Sequence, residues 1–361
     1  MPTFALVLLS ALALLLSGLA LLADVRGREA EERYPPIGTF AEIDGVRLHY
    51  LDIRPEGWRE GDPALVFVHG ASANLRDPHM ALAGPLSDWP AAKGKAARLV
   101  FVDRPGHGYS QRGGDDMYRP AAQAALIAGL TDSLGIERAV AVGHSWGGAV
   151  AAQLGLARPD LFAGLVFLAP ATHPWPGGTN WYYDAAAMPV AGTVFSHTLA
   201  PFGAGLLAPS AIKGIFRPAE VPVNYAERLG LPLLFRPRTF RANAQDVAFL
   251  KGEVEAAALR YGEITQPAAV ITGETDSVVY PHIHSHGLVR DLPNAWLVTL
   301  ERAGHMPHHT RTDAVLAEIA KVVAMVFPEA GPEEGWSDEG ARDENETAEA
   351  VSSNAAAAAS D

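Results

Sequence analysis

Short uninterrupted apolar runs recur along the middle of the chain. They are rich in Val, Leu, Phe and Ala, and they are ALVFVHG (64–70), ARLVFVD (97–103), RAVAVGHS (138–145), AGLVFLAP (163–170), AAVITGE (268–274) and AWLVTLERAGH (295–305). Strands of a parallel sheet are covered by helices and are therefore apolar on both faces. The runs thus predict a buried parallel sheet.

The segments around these runs complete the predicted architecture. FAEIDGVRLHYLDI (40–53) indicates a hairpin that turns at Asp44-Gly45. YRPAAQAALIAGLTDSLG (118–135) and SWGGAVAAQLGLARP (145–159) have apolar residues at helical spacing. Together they predict an α/β fold, a doubly wound and mostly parallel sheet that opens with an antiparallel pair.

Residues 171–262 interrupt the alternation of strands and helices. They contain several prolines and lack clean strand runs. About 90 residues are too many for a connection between two strands, so the segment is expected to fold as a helical cap. The core of the fold is then 37–170 together with 263–328. An insertion after the carboxyl end of a strand covers the crevice where ligands bind.

The N-terminal segment has the composition of a membrane span. Residues 2–23 contain no charged side chain, and about 22 helical residues cross a hydrocarbon core of roughly 30 Å. We therefore expect a single-pass membrane anchor over 1–23, followed by a linker over 24–36. A cleaved signal peptide, which would give a secreted or periplasmic protein, is the alternative, although such peptides are usually shorter and preceded by Lys or Arg. Three arginines follow the span, which favours a cytoplasmic domain without settling its side.

Charge is concentrated at the other end of the chain. Of the net charge of −13, residues 329–361 carry −9, from ten acidic residues and Arg342. This low-complexity segment has few apolar residues and predicts a disordered acidic tail. No basic patch suggests nucleic-acid binding, and with no cysteine there is neither a disulfide nor a thiolate metal site.

AVGHSWGGAV (141–150) contains the candidate nucleophile. Ser145 lies between Gly143 and Gly147 where a predicted strand ends and a helix begins. That position suits a sharp strand-to-helix turn, in which the serine backbone is strained and larger side chains two residues away would collide. Such a turn presents the hydroxyl at the edge of the sheet, above the helix N-terminus.

A serine nucleophile needs a base and an acid that orients the base. His305, in RAGHMPHH just past the last predicted strand, is the expected base. Asp276, in TGETDSVVYP after the preceding strand, is the expected acid. The order serine, acid, histidine suits this type of sheet. Glu274 is the reserve acid and His308 the reserve base.

Two backbone N–H groups are expected to form an oxyanion hole. One is the N–H of Trp146 at the start of the helix. The other is the N–H of Ala71, in the loop VHGASAN (68–74) after the first central strand. A simple His-Gly turn at residues 69–70 is the alternative interpretation of that loop.

The remaining histidines have structural interpretations. In PHIHSHG (281–287), three alternate histidines do not converge on one helix face, so a solvated loop is expected and no metal site. His144 is expected to be packed or to line the pocket, and His107 to support a turn near the site. No dinucleotide or Walker motif is found, so no cofactor is expected.

Five motifs in one order carry a family resemblance. HGASAN, DRPGHGYS, GHSWGG, GETD and AGHMPH resemble, in order and spacing, the α/β-hydrolase superfamily over about 40–327. The resemblance implies Ser145 as nucleophile, Asp276 as acid, His305 as base, and Ala71 and Trp146 as oxyanion donors. It also implies a mostly helical lid at 171–262.

The predicted function is a membrane-tethered serine hydrolase acting on small esters of apolar carboxylic acids. A serine at the nucleophile position argues against the haloalkane-dehalogenase and epoxide-hydrolase branches, which use aspartate there. C–C bond hydrolases, cofactor-free perhydrolases, lipases and amidases share a serine triad and stay open. A non-catalytic small-molecule binder is the alternative from a different class.

Overall fold

The computed structural model describes residues 2–88 and 96–328, and within them eight strands form one sheet. The strands are β1 (Thr39–Ile43), β2 (Val46–Ile53), β3 (Ala64–Val68), β4 (Arg98–Val102), β5 (Ala139–His144), β6 (Phe162–Leu168), β7 (Ala268–Gly273) and β8 (Ala295–Leu300). Their order is β1-β2-β4-β3-β5-β6-β7-β8. β1, β2 and β4 pair antiparallel, and all the other pairs are parallel. The predicted sheet is confirmed.

Helices cover both faces of the sheet and fill the connection between β6 and β7. They are α1 (Pro2–Arg33), α2 (Arg76–Ser87), α3 (Pro120–Ser133), α4 (Trp146–Ala157), α5 (Trp181–Ala187), α6 (Val190–His197), α7 (Ala200–Phe216), α8 (Tyr225–Leu229), α9 (Pro237–Ala258), α10 (Ser285–Asp291), α11 (Pro307–Thr310) and α12 (Thr312–Val326). Short 3-10 turns occur at Leu231–Phe235 and Tyr261–Glu263.

Local sequence explains the turns and strand ends. The hairpin turns at Asp44 and Gly45, whose φ angles of 48° and 75° suit a tight turn between twisted strands. Every residue of β3, β4, β5 and β7 is buried, as their apolar composition predicts. β8 ends at Leu300, before the end of the predicted run, and Arg302 beyond it has a φ of 55°.

The structure adds helices that the sequence pattern did not predict and lengthens another. α2 and α12 were not predicted. α1 continues through the predicted linker, 24–36, as far as Arg33. DVRGREAEER contains mostly good helix formers, and the helix ends before Pro35-Pro36. The predicted tail, 329–361, lies outside the described residues.

Residues 171–262 contain α5 to α9, the first 3-10 turn and the start of the second, as expected for an inserted helical cap. The longest of these helices, α9, buries ten of its 22 residues, including Asn243 and Asp246. It contacts the other cap helices α5, α6 and α7, and also α4 of the core. α9 therefore links the cap to the part of the core that follows the strand-to-helix turn.

Candidate active site

Ser145 occupies a strained turn between β5 and α4. Its φ of 52° and ψ of −117° lie outside the regions that a non-glycine residue ordinarily adopts. A Cβ at Gly143 would overlap the carbonyl oxygen of Gly147, and one at Gly147 would overlap that of Val68 in β3. The backbone is thus so close on both sides of Ser145 that only glycine fits.

The structure brings the predicted serine, histidine and aspartate into one hydrogen-bonded row. Ser145 Oγ lies 3.0 Å from His305 Nε2, and His305 Nδ1 lies 2.8 Å from Asp276 Oδ2. All three residues are buried, with 8%, 5% and 4% of their surface exposed. With Nδ1–H donating to the carboxylate, Nε2 has a free lone pair for the serine hydroxyl.

The environment of Asp276 keeps its carboxylate ionised. Its Oδ1 accepts the N–H groups of Val278 at 2.8 Å and Val279 at 3.0 Å. Burial alone would raise the pKa of Asp276, but His305 and the two N–H groups outweigh burial and lower it below the ordinary value. The carboxylate is therefore suited to orient an imidazole.

Neither reserve residue is brought to the serine. The Glu274 carboxylate accepts the backbone N–H of Arg302 at 3.3 Å. His308 Nε2 is hydrogen-bonded to Asp77 at 2.9 Å. His144 is hydrogen-bonded to the backbone of His305, because its Nε2–H donates to the carbonyl oxygen of His305 at 2.9 Å.

Ala71 and Trp146, the predicted oxyanion donors, both border the cavity that contains Ser145. Trp146 is the first residue of α4, so its N–H points out of the helix N-terminus. Within residues 2–88 and 96–328, neither of these two N–H groups has a hydrogen-bond partner. Both are thus free to donate to a negatively charged oxygen beside Ser145.

Arg104, which the sequence pattern did not identify, contacts both the loop that carries Ala71 and the side chain of Trp146. Its Nε donates to the carbonyl of His69 at 3.0 Å and its Nη2 to that of Gly70 at 3.2 Å. Its guanidinium carbon also lies 4.0 Å from the centre of the Trp146 ring. Arg104 is completely buried and forms an ion pair with Asp246 at 2.6 Å.

The cap helix α9 contributes to the same loop. The carboxylate of Asp246 on α9 accepts a hydrogen bond from the Arg104 guanidinium. The backbone carbonyl of Asp246 accepts the indole N–H of Trp146 at 2.9 Å. Asn243 on α9 accepts the N–H of Ser72 at 2.6 Å and donates to its hydroxyl at 3.0 Å. Ser72 has a φ of 54°. The cap therefore helps to hold the conformation of the loop that carries Ala71.

The site opens into a cavity of about 980 Å³ between the sheet edge and the cap. Its polar wall includes Ser145, His305, Asn243 and the carboxylate of Asp77. Most of the remaining wall is apolar and comes from α5, α7, the 3-10 turn at Leu231–Phe235 and α9. Among the residues that the structure describes, no lysine or arginine lines this cavity. The space suits an uncharged, largely apolar molecule.

The histidine-rich segment 281–287 is only partly as expected. His282 and His286 are exposed, in agreement with a solvated segment. His284 is not, since its Nδ1 accepts the backbone N–H groups of Thr172 and His173 at 3.2 and 3.1 Å. Burial lowers the pKa of His284 to about 4, so it is a neutral acceptor that fastens the start of the cap. The solvated-loop prediction was wrong for this residue.

A second cluster of polar side chains lies beside the cavity. Asp77, His308 and His309 place possible metal ligands within 4.8 Å of one another. Here the Asp77 carboxylate accepts hydrogen bonds at 2.9 Å from both imidazoles and from the Tyr225 hydroxyl. These bonds account for the cluster as a link between α2, α8 and α11.

Three buried histidines predict loss of stability in mild acid. Burial lowers the pKa of His69, His107 and His144 well below 6.5. They stay neutral in the folded state but gain protons in the unfolded state, so their contribution is present above pH 6.5 and is lost as the pH falls below it. Each histidine contributes a slope of up to about 1.4 kcal/mol per pH unit.

The measurement is the urea-unfolding free energy of the detergent-solubilised chain between about pH 7 and pH 5. We expect it to fall by several kcal/mol across this range. A free energy that stays constant would contradict the neutral state of these three histidines.

The chain is similar to known hydrolases along most of its length. A sequence model described as alpha/beta hydrolase fold matches residues 63–312. The uncharacterized hydrolase YugF of Bacillus subtilis (strain 168) is 25% identical over 302 residues, 81% of this chain and 99% of that protein. A 2-hydroxymuconate semialdehyde hydrolase of Pseudomonas putida is 32% identical over 139 residues, 38% of this chain and 45% of that enzyme.

A solved structure shares the fold. A thermophilic esterase from Thermogutta terrifontis, with malate bound, matches 80% of this chain and 100% of its own with a TM-score of 0.62 and 21% identity. The range matched by the family model includes the strand-to-helix turn at Ser145, the loop after β3 that carries Ala71, and His305 in the segment after β8.

Proposed function

The chain belongs to the α/β hydrolase fold family, and from that premise we propose that it is a serine hydrolase cleaving esters of apolar carboxylic acids. The observation that carries the proposal is the hydrogen-bonded row from Ser145 through His305 to Asp276, which opens into an apolar cavity. In this proposal Ser145 is the nucleophile, His305 the general base and acid, and Asp276 the residue that orients His305.

Acylation follows from the hydrogen bonds already formed. His305 Nε2 takes the hydroxyl proton as Ser145 Oγ attacks the ester carbonyl carbon. The tetrahedral intermediate then collapses, the alcohol oxygen leaves with the proton held on Nε2, and the acyl group stays on Oγ. Asp276, ionised and buried, stabilises the imidazolium that exists between these two proton transfers.

The charge that develops on the carbonyl oxygen is stabilised by the N–H groups of Ala71 and Trp146. Neither N–H group has a hydrogen-bond partner in the described part of the chain, and both residues border the same cavity as Ser145. Donors that need no reorganisation during reaction lower the barrier most effectively, each contributing roughly 10²- to 10³-fold.

Deacylation repeats the same steps with water. His305 takes a proton from a water molecule, whose oxygen attacks the acyl carbon. Ser145 Oγ leaves and recovers the proton from Nε2, and the carboxylic acid departs. One base thus serves both half-reactions, and no cofactor is needed.

The cavity favours an ester of an apolar acid over a charged substrate. No lysine or arginine lies on its described wall to pair with a substrate carboxylate, and the wall includes the carboxylate of Asp77. Leu207, Ile212 and Leu231 are among the side chains that an acyl chain would contact.

A second candidate is C–C bond hydrolysis, which the 2-hydroxymuconate semialdehyde hydrolase relative favours. The substrate in that relative's name carries a carboxyl group. The absence of a cationic side chain on the described cavity wall disfavours it here. Perhydrolysis, and a non-catalytic role as a small-molecule binder, are the remaining alternatives from the same site.

We further propose that α1 is a single-pass membrane anchor. It is long enough to cross a membrane and has a mean hydropathy of 2.6 in its most apolar window. All side chains from Thr3 to Leu15 are exposed. A cleaved signal peptide is the alternative, and mass measurement of the N-terminus of the membrane-extracted chain distinguishes the two.

The substrate proposal is tested by a panel assay on the full chain in detergent. The panel contains p-nitrophenyl esters of increasing acyl length, an ester of a dicarboxylic acid that keeps one free carboxylate, and 2-hydroxymuconate semialdehyde. We expect kcat/KM to rise with acyl length and to be at least roughly tenfold lower for the carboxylate-bearing ester, because the cavity is apolar and lacks a cationic partner. Preferred turnover of 2-hydroxymuconate semialdehyde would overturn the ester assignment in favour of C–C hydrolysis.

A further inference from the structure

The cap contains a long stretch without charge. Between Asp184 and Lys213 there is no acidic or basic side chain other than His197. The stretch contains α6 and the part of α7 up to Ile212, and it exposes several large apolar side chains to solvent. They are Met188, Val190, Val194, Leu199, Leu206 and Leu207. We call α6 and α7 with these side chains the cap surface.

The C-terminal half of α1 is fixed to the cap next to this surface. Glu31 forms an ion pair with Arg236 at 2.7 Å, and Arg33 forms one with Glu227 at 3.0 Å. Ala30 is buried in a cluster with Leu233 of the cap. α1 is one continuous helix, so its apolar half has a defined position relative to the cap.

Arg26 connects the two features directly. Its guanidinium carbon lies 4.8 Å from the centre of the Phe202 ring at the start of α7. Arg26 follows Leu22, the last large exposed apolar side chain of α1, by about one helical turn, roughly 6 Å along the axis. Leu206 follows Phe202 by one turn on the same side of α7. The cap surface thus begins where the apolar part of α1 ends.

We propose that the cap surface lies in the membrane interface beside α1 and that the ester substrate enters the cavity from the bilayer. The first part rests on α1 as an anchor and the second also rests on the proposed function. The second part of the proposal identifies the substrate class as lipid-like esters dissolved in the membrane. A helix at the interface is uncharged on the face buried about 5–10 Å into the headgroup region, which describes the exposed side of α7 as far as Ile212. The exposed Lys213 follows in the last turn of α7, where a long basic side chain reaches the headgroups.

The same helix forms a wall of the cavity. Gly203, Leu207 and Ile212 of α7, together with Leu199 just before the helix, line the cavity that contains Ser145. The axes of α6 and α7 differ in direction by 67°, and one face of α7 lines the cavity. Both features suit helices that lie along a bilayer and not across it. A substrate leaving the lipid beside α7 would therefore meet a helix that is itself part of the cavity wall.

The absence of cysteine from the chain makes a direct position measurement possible. The full chain carrying Leu206→Cys or, as the matched control, Leu259→Cys is labelled with an environment-sensitive fluorophore and reconstituted in phosphatidylcholine vesicles. Leu206 and Leu259 are 84% and 88% exposed, but Leu259 follows α9 and is outside the cap surface. Lipids with a nitroxide near the headgroup act as quenchers.

We expect several-fold stronger quenching at position 206 than at position 259. Equal quenching at the two positions, or none at 206, would overturn the proposal. Emission at 206 that changes with protein density but not with nitroxide lipid would assign the surface to a second copy of the chain, and this would also overturn it.

Activity tests the substrate class separately. Leu206→Glu is expected to lower turnover of a long-chain ester in vesicles by roughly tenfold, because the membrane contact of an apolar side chain is lost. Turnover of a short soluble ester, and both activities of Leu259→Glu, should stay unchanged. Loss on both esters, or on neither, would overturn entry from the bilayer. Selective quenching at 206 without hydrolysis of any ester would support the surface and refute the ester-hydrolase proposal.

Discussion

Replacing Ser145 by alanine is expected to abolish covalent labelling by a fluorophosphonate and to lower kcat/KM for a soluble ester by roughly 10⁴-fold or more. The reason is geometric. Ser145 Oγ is 3.0 Å from His305 Nε2, and no other hydroxyl is hydrogen-bonded to His305 in the described part of the chain. Since alanine lacks the oxygen that attacks and accepts the acyl group, covalent catalysis ends while the fold is retained.

His305→Ala and the double variant complete the test. Because Ser145 and His305 act as one unit, the single and double variants should have nearly the same residual rate. His286→Ala, at an exposed histidine, is the control and should keep full activity. A Ser145→Ala protein that still turns over the ester and takes up the label would refute this serine as the nucleophile.

The agreement between sequence and structure is best where the signal is local. Each strand from β3 to β8 corresponds to one of the short apolar runs, and each begins in the structure within one residue of the start of its run. The strand-to-helix turn was predictable because Gly143 and Gly147 are needed by the backbone around Ser145 itself. The order of acid and histidine followed from which strand ends precede them.

The support of the site depends on contacts between residues far apart in the chain. Arg104 and Asp246 are separated by 142 positions, and Ser72 and Asn243 by 171. Arg104 lies in the motif DRPGHGYS, but no spacing rule identifies a partner on a cap helix. Similarly, His284 is buried only because the start of the cap folds over it. Such pairs emerge only when the fold brings them together.

The helices of the cap were predictable as a class but not individually. α7 has no polar face to give a helical period, because one side lines the cavity and the other exposes Leu206. Apolar residues on both sides of α7 therefore make the helix boundaries hard to predict, and the same residues suggest contact with lipid. α1 extended further than expected for the related reason that its charged half is also strongly helix-forming.

Arg104→Lys is expected to lower kcat by roughly 10²-fold with little change in KM, since small displacements of catalytic groups can cost that much. Lysine keeps the charge beside Asp246 but cannot reproduce the guanidinium fork that donates to the carbonyls of His69 and Gly70. These carbonyls belong to the loop that carries Ala71. The stacking on Trp146 is lost as well. Both proposed oxyanion donors therefore lose the side chain that positions them.

Arg112→Lys is the matched control, because Arg112 pairs with the other carboxylate oxygen of Asp246 at 2.7 Å. Its second bond, at 3.1 Å, goes to the carbonyl of Pro105 and not to the loop before Ala71. Steady-state kinetics and urea unfolding of both variants separate position from stability. We expect both variants to lose stability, but only Arg104→Lys to lose kcat. An equal fall of kcat in the two variants would mean that Arg104 only forms a structural ion pair with Asp246. A fall in Arg104→Lys alone would mean that α9, through Asp246 and Arg104, helps the cap to hold the proposed oxyanion donors in place.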